Sequence, residues 1–178
     1  MSESELITAG KHLHLRRYGT WEYVTRANAS AIVIVVAMTD DQRVILVEQY
    51  RPPIQARVIE FPAGLAGDIA GAEDERFEEA ARRELLEETG YEVGELTHVF
   101  DGTSSAGLTD ETVSFFVAKQ VRKVAVGGGD ASEDIEVHEV PFADINGWLK
   151  SRVVAGRMID SRIYSGLYLL GTSSVFGM

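Results

Sequence analysis

The sequence predicts an α/β layered domain with a mixed β-sheet. Three observations carry this reading. Short apolar runs rich in β-branched residues recur in the first third of the chain and again beyond residue 95. A helical pattern interrupts them near residues 74–89, and two more helical patterns close the chain. Strands with interspersed and terminal helices are the pattern of a layered α/β fold. With 178 residues, 45% hydrophobic and 25% charged, the chain suits a single globular domain over residues 1–178.

Taken in order, "KHLHLRRYG" and "TWEYVTRA" alternate enough to form a hairpin. "AIVIVVAM" and "RVILVEQY" flank the turn sequence "TDDQ", which predicts a second hairpin. "RVIEFPAG" reads as a strand stopped by Pro62 and Gly64, and "LAGDIAGA" as a loop of small residues. From Asp74 to Thr89 the sequence is helical, with Asp74 as a cap and Gly90 suited to the C-terminal cap. "ELTHVFDG", "ETVSFFVAKQV" and "DIEVHEVPF" are strands, the last two separated by "VGGGDASED". "FADINGWLKSRVV" and "DSRIYSGLYLLGT" are the closing helices.

Composition narrows the function. A net charge of −11 opposes a nucleic-acid partner, because such a surface repels phosphate backbones. A small phosphate-bearing substrate then needs divalent cations or placed arginines. No apolar run reaches the roughly 18 residues of a membrane helix, and "MSESELITAG" lacks the regions of a signal peptide. There is no cysteine, hence no disulfide or thiol chemistry, and a cytoplasmic location is expected. His12, His14, His98 and His138 show no zinc-ligand spacing. "GGGD" lacks the Lys-Ser/Thr of a phosphate-binding loop and reads as a flexible loop able to close over substrate.

The stretch "RRELLEETGY" is the chemically pointed one. On a helical wheel Phe77, Ala80 and Ala81 form the apolar stripe, and Glu84 and Glu88 lie within roughly 20° of Phe77. Either this is a solvated run of charge or a cation site. Like charges at i and i+4 repel, and a hard divalent cation with oxygen ligands removes the repulsion. Glu87 lies one turn from Glu84 and offers a third oxygen, and Arg83 can fix a carboxylate rotamer.

These residues resemble the core of the Nudix box, G-x5-E-x7-R-E-U-x-E-E-x-G-U, with U a large apolar residue. Arg83, Glu84, Leu85, Glu87, Glu88, Gly90 and Tyr91 fill its second half, and Glu75 stands at the earlier glutamate. The position of the opening glycine is Ile69; Gly64 is the natural substitute and implies a loop lengthened by about five residues. "VEQYRPP", "VIEFPAG", "SSAGLTDE" and "SEDIEVHEVPF" extend the resemblance to the branch that acts on ADP-ribose and nucleoside diphosphate sugars.

The resemblance implies a Nudix-type α/β/α sandwich and a homodimer, with the N-terminal strands (about residues 1–28) at the interface. It implies Mg²⁺-dependent hydrolysis of a nucleoside diphosphate sugar, with Mn²⁺ as an alternative ion, at Glu84 and Glu88, with Glu87 beside them and the Ala63 carbonyl as a backbone ligand. Arg83 would orient a carboxylate. Arg51 would grip phosphate, Glu60 and Glu111 would lie near substrate, and Trp21 would stack on a base or fill the dimer interface. The water-activating base falls among Asp130, Glu133 and Asp134, with Ala131 at the position that carries it in some relatives; Glu133 and Glu87 are the competing candidates. Within that chemistry ADP-ribose leads. GDP-mannose or another nucleoside diphosphate sugar is the alternative, as is a catalytically weak nucleotide-sugar binding protein.

Overall fold

The computed structural model describes residues 4–29, 31–69, 71–129 and 133–172. Along the chain run β1 (Glu5–Ala9), β2 (Leu13–Tyr18), β3 (Trp21–Arg26), β4 (Ala31–Ala37), β5 (Arg43–Arg51), β6 (Ala56–Glu60) and β7 (Ala63–Ala66). Then come α1 (Phe77–Thr89), β8 (Tyr91–Glu92), β9 (Glu95–Thr103), β10 (Thr112–Lys119), β11 (Arg122–Lys123) and β12 (Ile135–Pro141). α2 (Ile145–Val154), β13 (Met158–Ile159) and α3 (Arg162–Gly171) finish the described chain.

The expected mixed pairing is present, distributed over two four-stranded sheets ordered β7-β4-β10-β9 and β12-β5-β6-β13. In the first, β10 is parallel to β4 and antiparallel to β9; in the second, β6 is antiparallel to β5 and parallel to β13. Side-chain alternation then sorts two cores. Ile34, Val36, Val44 and Leu46 pack with Ile145 and Leu149 of α2 and Ile163 and Leu169 of α3. Val33, Val35, Ala37 and Ile45 pack with Ala80, Ala81 and Leu85 of α1. The sheets therefore lie between α1 on one side and α2 with α3 on the other, the α/β/α arrangement.

The predicted hairpin of residues 31–38 with 43–50 does not form. β4 and β5 enter different sheets and share a single bridge, Met38 to Val44. Both strands are buried along nearly their whole length. Each therefore needs partners on both edges and a layer on both faces, which a two-stranded hairpin cannot supply. The "LAGDIAGA" loop is also shorter than expected: Ala63–Ala66 pairs with β4 as β7. β1, β8, β11 and β13 are further short strands without a strong alternating pattern of their own.

The helix α1 begins at Phe77, later than expected, and Asp74 does not cap it: the cap position is Arg76, in extended conformation with no side-chain bond. Glu75 is instead bonded by Arg83 on the side-chain side and closes a turn onto the Ala72 carbonyl on the backbone side. The other end matches expectation, with Gly90 left-handed at φ 76° and its N–H bonded to the Leu86 carbonyl. The first hairpin is also as expected, and β1 extends it to a three-stranded sheet. Among the described residues, no helix is long and apolar enough to cross a membrane.

Candidate active site

The wheel placed two acids on the buried stripe of α1, and they are found there. Glu88 is 3% exposed, and the Glu84 side chain 13%. Glu88 Oε2 accepts the Ala63 N–H at 3.0 Å. Ala63 thus reaches the site through its amide, where the sequence had pointed to its carbonyl. Glu84 lies so close to the backbone of β7 that a Cβ on residue 64 would sit 1.9 Å from the Glu84 Cδ. Glycine at position 64 leaves room for the Glu84 carboxylate to lie against the backbone, which supports its reading as the displaced opening glycine.

Burial pushes the Glu88 carboxyl up to about 8, with Glu84, Glu133 and Glu60 adding to the rise and the Ala63 amide opposing it. Burial also raises Glu84, against the pull of Arg83. Two buried carboxyls that resist ionisation alone, on adjacent turns, form a hard-oxygen donor set that fits a divalent cation.

Arg83 organises the outer side of this pair. It donates to both oxygens of Glu75 at 3.0 Å, to Glu84 Oε1 at 2.7 Å and to Glu87 Oε2 at 3.2 Å. A further bond reaches the Leu65 carbonyl at 3.1 Å, tying β7 to the helix. These carboxylates hold the guanidinium pKa above its ordinary value, Glu75 most of all. The expected carboxylate-orienting role of Arg83 is thus geometrically available, and Glu87 is the outermost, half-exposed member of the group.

A cleft of about 310 Å³ opens over Glu84 and Gly64. Arg26, Arg51, Arg162 and Glu133 line it together with Asp68. Each arginine is oriented by an acid: Arg51 by Glu60 at 2.8 Å, Arg26 by Glu111 at 2.7 Å, and Arg162 by Asp160. Burial alone would raise Asp160, but its bonds from Arg162 outweigh that and hold it below the usual carboxylate range. The predicted Arg51, Glu60 and Glu111 are therefore brought to one place.

Arg26 and Arg162 were not legible as site residues. Arg162 did leave a signal: it is a cation in the first turn of α3, where the helix dipole disfavours positive charge. Such a placement points to a role outside helix stability. Trp21 lies elsewhere. It is 60% exposed, donates its indole N–H to the Gly107 carbonyl at 3.2 Å, and borders a separate surface depression with Tyr18 and Tyr23.

Glu133 faces the cleft, whereas Asp130 and Ala131 lie outside the described residues. The glycine run, read from sequence as a flexible loop able to close over substrate, is bonded to the end of α1. Gly128 and Gly129 donate their N–H groups to the carbonyls of Glu88 and Glu87 at 2.8 and 3.0 Å. A Cβ on Gly127 would meet the Thr89 carbonyl carbon at 2.3 Å. Helix carbonyls at a C-terminus need external donors, and Gly128 and Gly129 supply them, with Gly127 packed directly on the end of α1.

A second group with metal-ligand potential, Glu48, Glu136 and His138, brings ligand atoms within 4.8 Å of one another. Arg57 and Arg157 already bond Glu48 at 2.7 and 3.0 Å, so its charge is neutralised by protein.

Residues 28–158 match the NUDIX domain family. The chain is 33% identical over 131 residues to a methanol dehydrogenase activator of Bacillus methanolicus, covering 73% of this chain and 66% of that one. It is 36% identical over 123 residues to an ADP-ribose pyrophosphatase of Bacillus subtilis (strain 168), covering 68% and 64%. The chain thus spans just under two thirds of the length of these two relatives. A GDP-mannose pyrophosphatase of Escherichia coli (strain K12) is 32% identical over 160 residues, covering 85% and 78%. The fold is similar to that of a solved ADP compounds hydrolase, at TM-score 0.69 and 22% identity, with 95% of this chain and 90% of that one covered.

Proposed function

The chain belongs to the NUDIX domain family, and from that premise we propose that it hydrolyses the pyrophosphate bond of ADP-ribose or a related nucleoside diphosphate sugar. The products are a nucleoside monophosphate and a sugar phosphate. The observation that carries this reading is the cleft itself: Glu84 of α1 lines it together with three oriented arginines, and the buried Glu88, one turn on, bonds the lining residue Ala63. In a chain of net charge −11, arginines gathered beside buried carboxyls, of which Glu88 has no arginine bonded to it among the described residues, suit an anionic substrate bound with a cation.

Glu84 and Glu88, with Glu87 and the Ala63 carbonyl beside them, would hold Mg²⁺, or Mn²⁺ in its place. The ion, when bound, neutralises diphosphate oxygens and polarises the phosphorus. Arg51, Arg26 and Arg162 orient the diphosphate, each preset by its acid. Glu133 holds the proton that water loses as its oxygen bonds phosphorus and the bridging P–O bond breaks. Glu133 is preferred to Glu87 because it lines the cleft, while Glu87 is turned outward onto Arg83.

A GDP-mannose substrate is the second reading, favoured by the longer match to a GDP-mannose pyrophosphatase. The three-stranded sheet β1-β2-β3 exposes Leu6, Ile7, Leu13, Tyr18 and Trp21, which supports a homodimer closed through the N-terminal strands of one 178-residue domain. The absence of cysteine supports a cytoplasmic setting, and the acidic surface argues against a nucleic-acid partner.

The test is incubation with Mg²⁺ and ADP-ribose, GDP-mannose, UDP-glucose and diadenosine polyphosphates, with phosphomonoester release as the readout. Release from ADP-ribose supports the proposal. Binding without turnover of any compound overturns it in favour of a nucleotide-sugar binding protein.

A further inference from the structure

Glu48 has no place in the reaction above, yet it is a carboxylate 1% exposed in the middle of β5. It stands directly opposite Glu136 of β12 in the strand register, an unfavourable pairing of like charges. The surroundings explain how the fold tolerates it. Glu48 Oε1 accepts from Arg57 Nε at 2.7 Å and from Arg157 Nε at 3.0 Å, and His138 Nε2 lies 3.3 Å from Oε2. His138 is itself packed edge-on against Trp148 of α2, at 5.0 Å between ring centroids.

Arg57 does more than neutralise Glu48. Its Nη1 donates to Asp134 Oδ2 at 2.6 Å, and its Nη2 lies within bonding distance of the carbonyls of Glu48 and Asp134, at 3.2 and 3.4 Å. One guanidinium thus ties a buried strand to the residue that follows Glu133. Successive side chains of an extended segment point to opposite sides. Glu136 and His138 face the Glu48 side, where His138 meets Glu48. Val137 packs with the α1 core, and Ile135 reaches Gly129 at the end of α1. Glu133 approaches the same Gly129 as Ile135 does, so with Asp134 held on the Glu48 side Glu133 lies on the α1 side, where it lines the cleft.

On the reading of the cleft as a pyrophosphatase site, we propose that the Glu48–Arg57–Asp134 chain is a positioning device. It acts from the opposite face of the sheet to hold Glu133 toward the reacting water. Arg57 touches no substrate; it is a positioning residue, and Glu48 is its anchor.

Two variants test this. Asp134→Ala removes only the outer end of the chain, at a side chain that is 79% exposed, so the fold is preserved. Arg57→Ala removes the centre. We expect kcat to fall about 10-fold in Asp134→Ala and on the order of 30-fold in Arg57→Ala, with KM within about two-fold of wild type. Arg57→Lys should recover part of the loss. In a Glu133→Gln background neither variant should lower kcat further, because both act through Glu133. A general weakening of the fold would instead multiply with the Glu133 loss, and that result overturns the proposal. Hydrogen exchange of the peptide spanning residues 133–138 gives a readout that needs no turnover. It should quicken by about 10-fold in Asp134→Ala, and unchanged exchange overturns the proposal. Should the wild type cleave no diphosphate at all, the pyrophosphatase reading fails, while the exchange result still decides whether Asp134 is held by this chain.

Discussion

Glu48 and Glu88 are two buried glutamates on opposite sides of the same pair of sheets, and the fold treats them in opposite ways. Glu48 is 1% exposed and Glu88 3%. Burial alone would raise both. At Glu48 the bonds from Arg57, Arg157 and His138 overcome burial and hold the carboxyl below its ordinary value. At Glu88 only a backbone amide opposes burial, other acids add to it, and the carboxyl is pushed up to about 8. Degree of burial therefore does not separate a structural acid from a functional one; the supply of positive charge does. Where the protein supplies the cations itself, the acid anchors structure. Where it withholds them beneath a cleft, the acid stays a buried carboxyl of raised pKa, which we propose is completed by an ion from solution.

The largest expected effect breaks the functional side. Glu88→Gln should lower turnover by on the order of 10³-fold while the protein stays folded, since a neutral amide of the same size replaces a carboxyl the apo fold keeps mostly protonated near neutral pH. Steady-state rates with circular dichroism check this, and near-normal rates would end the metal-ligand assignment. Glu48→Ala should act first on stability, costing about 3 kcal/mol by leaving Arg57 and Arg157 without their shared acid, with a fall in kcat no larger than that of Arg57→Ala. Urea denaturation measures it, and a loss confined to activity would erase the contrast.

Titration sharpens the same comparison. The folded-state value of about 8 for Glu88 lies above its reference of 4.5. The folded state then holds a proton that the unfolded state releases. In EDTA this contribution is present at acid pH and is lost as pH rises from about 4.5 to about 8. Glu48 is depressed, so its contribution is present above the ordinary carboxylate range and lost as pH falls through its folded value. Thermal melts of Glu88→Gln in EDTA should lack the wild type's decline toward pH 8. Mg²⁺ at pH 8 should raise the wild-type midpoint by several °C, about 2–4 °C per kcal/mol of binding linkage. The smallest effect is expected of Gly64→Ala. Its Cβ displaces the Glu84 carboxylate, the mobile end of a side chain. A fall in kcat/KM of about 10-fold with an unchanged melting midpoint is anticipated.

Much of the acidic wall was legible because it is local. Glu84 and Glu88 share a helix face by their spacing, Arg83 precedes them, and Gly90 ends the helix. The arginine wall was only partly legible. Arg51 could be singled out, but Arg26 and Arg162 come from β3 and the start of α3 and meet it only in the fold. The helix start was misplaced for a related reason. Asp74 has the chemistry of a cap, but the first turn closes two residues later, beyond the Glu75 that pairs with Arg83 across the helix entrance.

The sequence by itself determined which face of α1 carries the acids, where most strands lie, and that an acidic chain handling phosphate needs cations. Those properties follow from periodicity and composition, which are local or additive. Only the tertiary structure decided that β4 and β5 part into separate sheets, that three arginines from distant segments line one cleft, and that Glu48 is an anchor while Glu88 is not. Each of these depends on which faces pack together, and two buried glutamates with the same local preferences acquire different charges from the neighbours that packing brings.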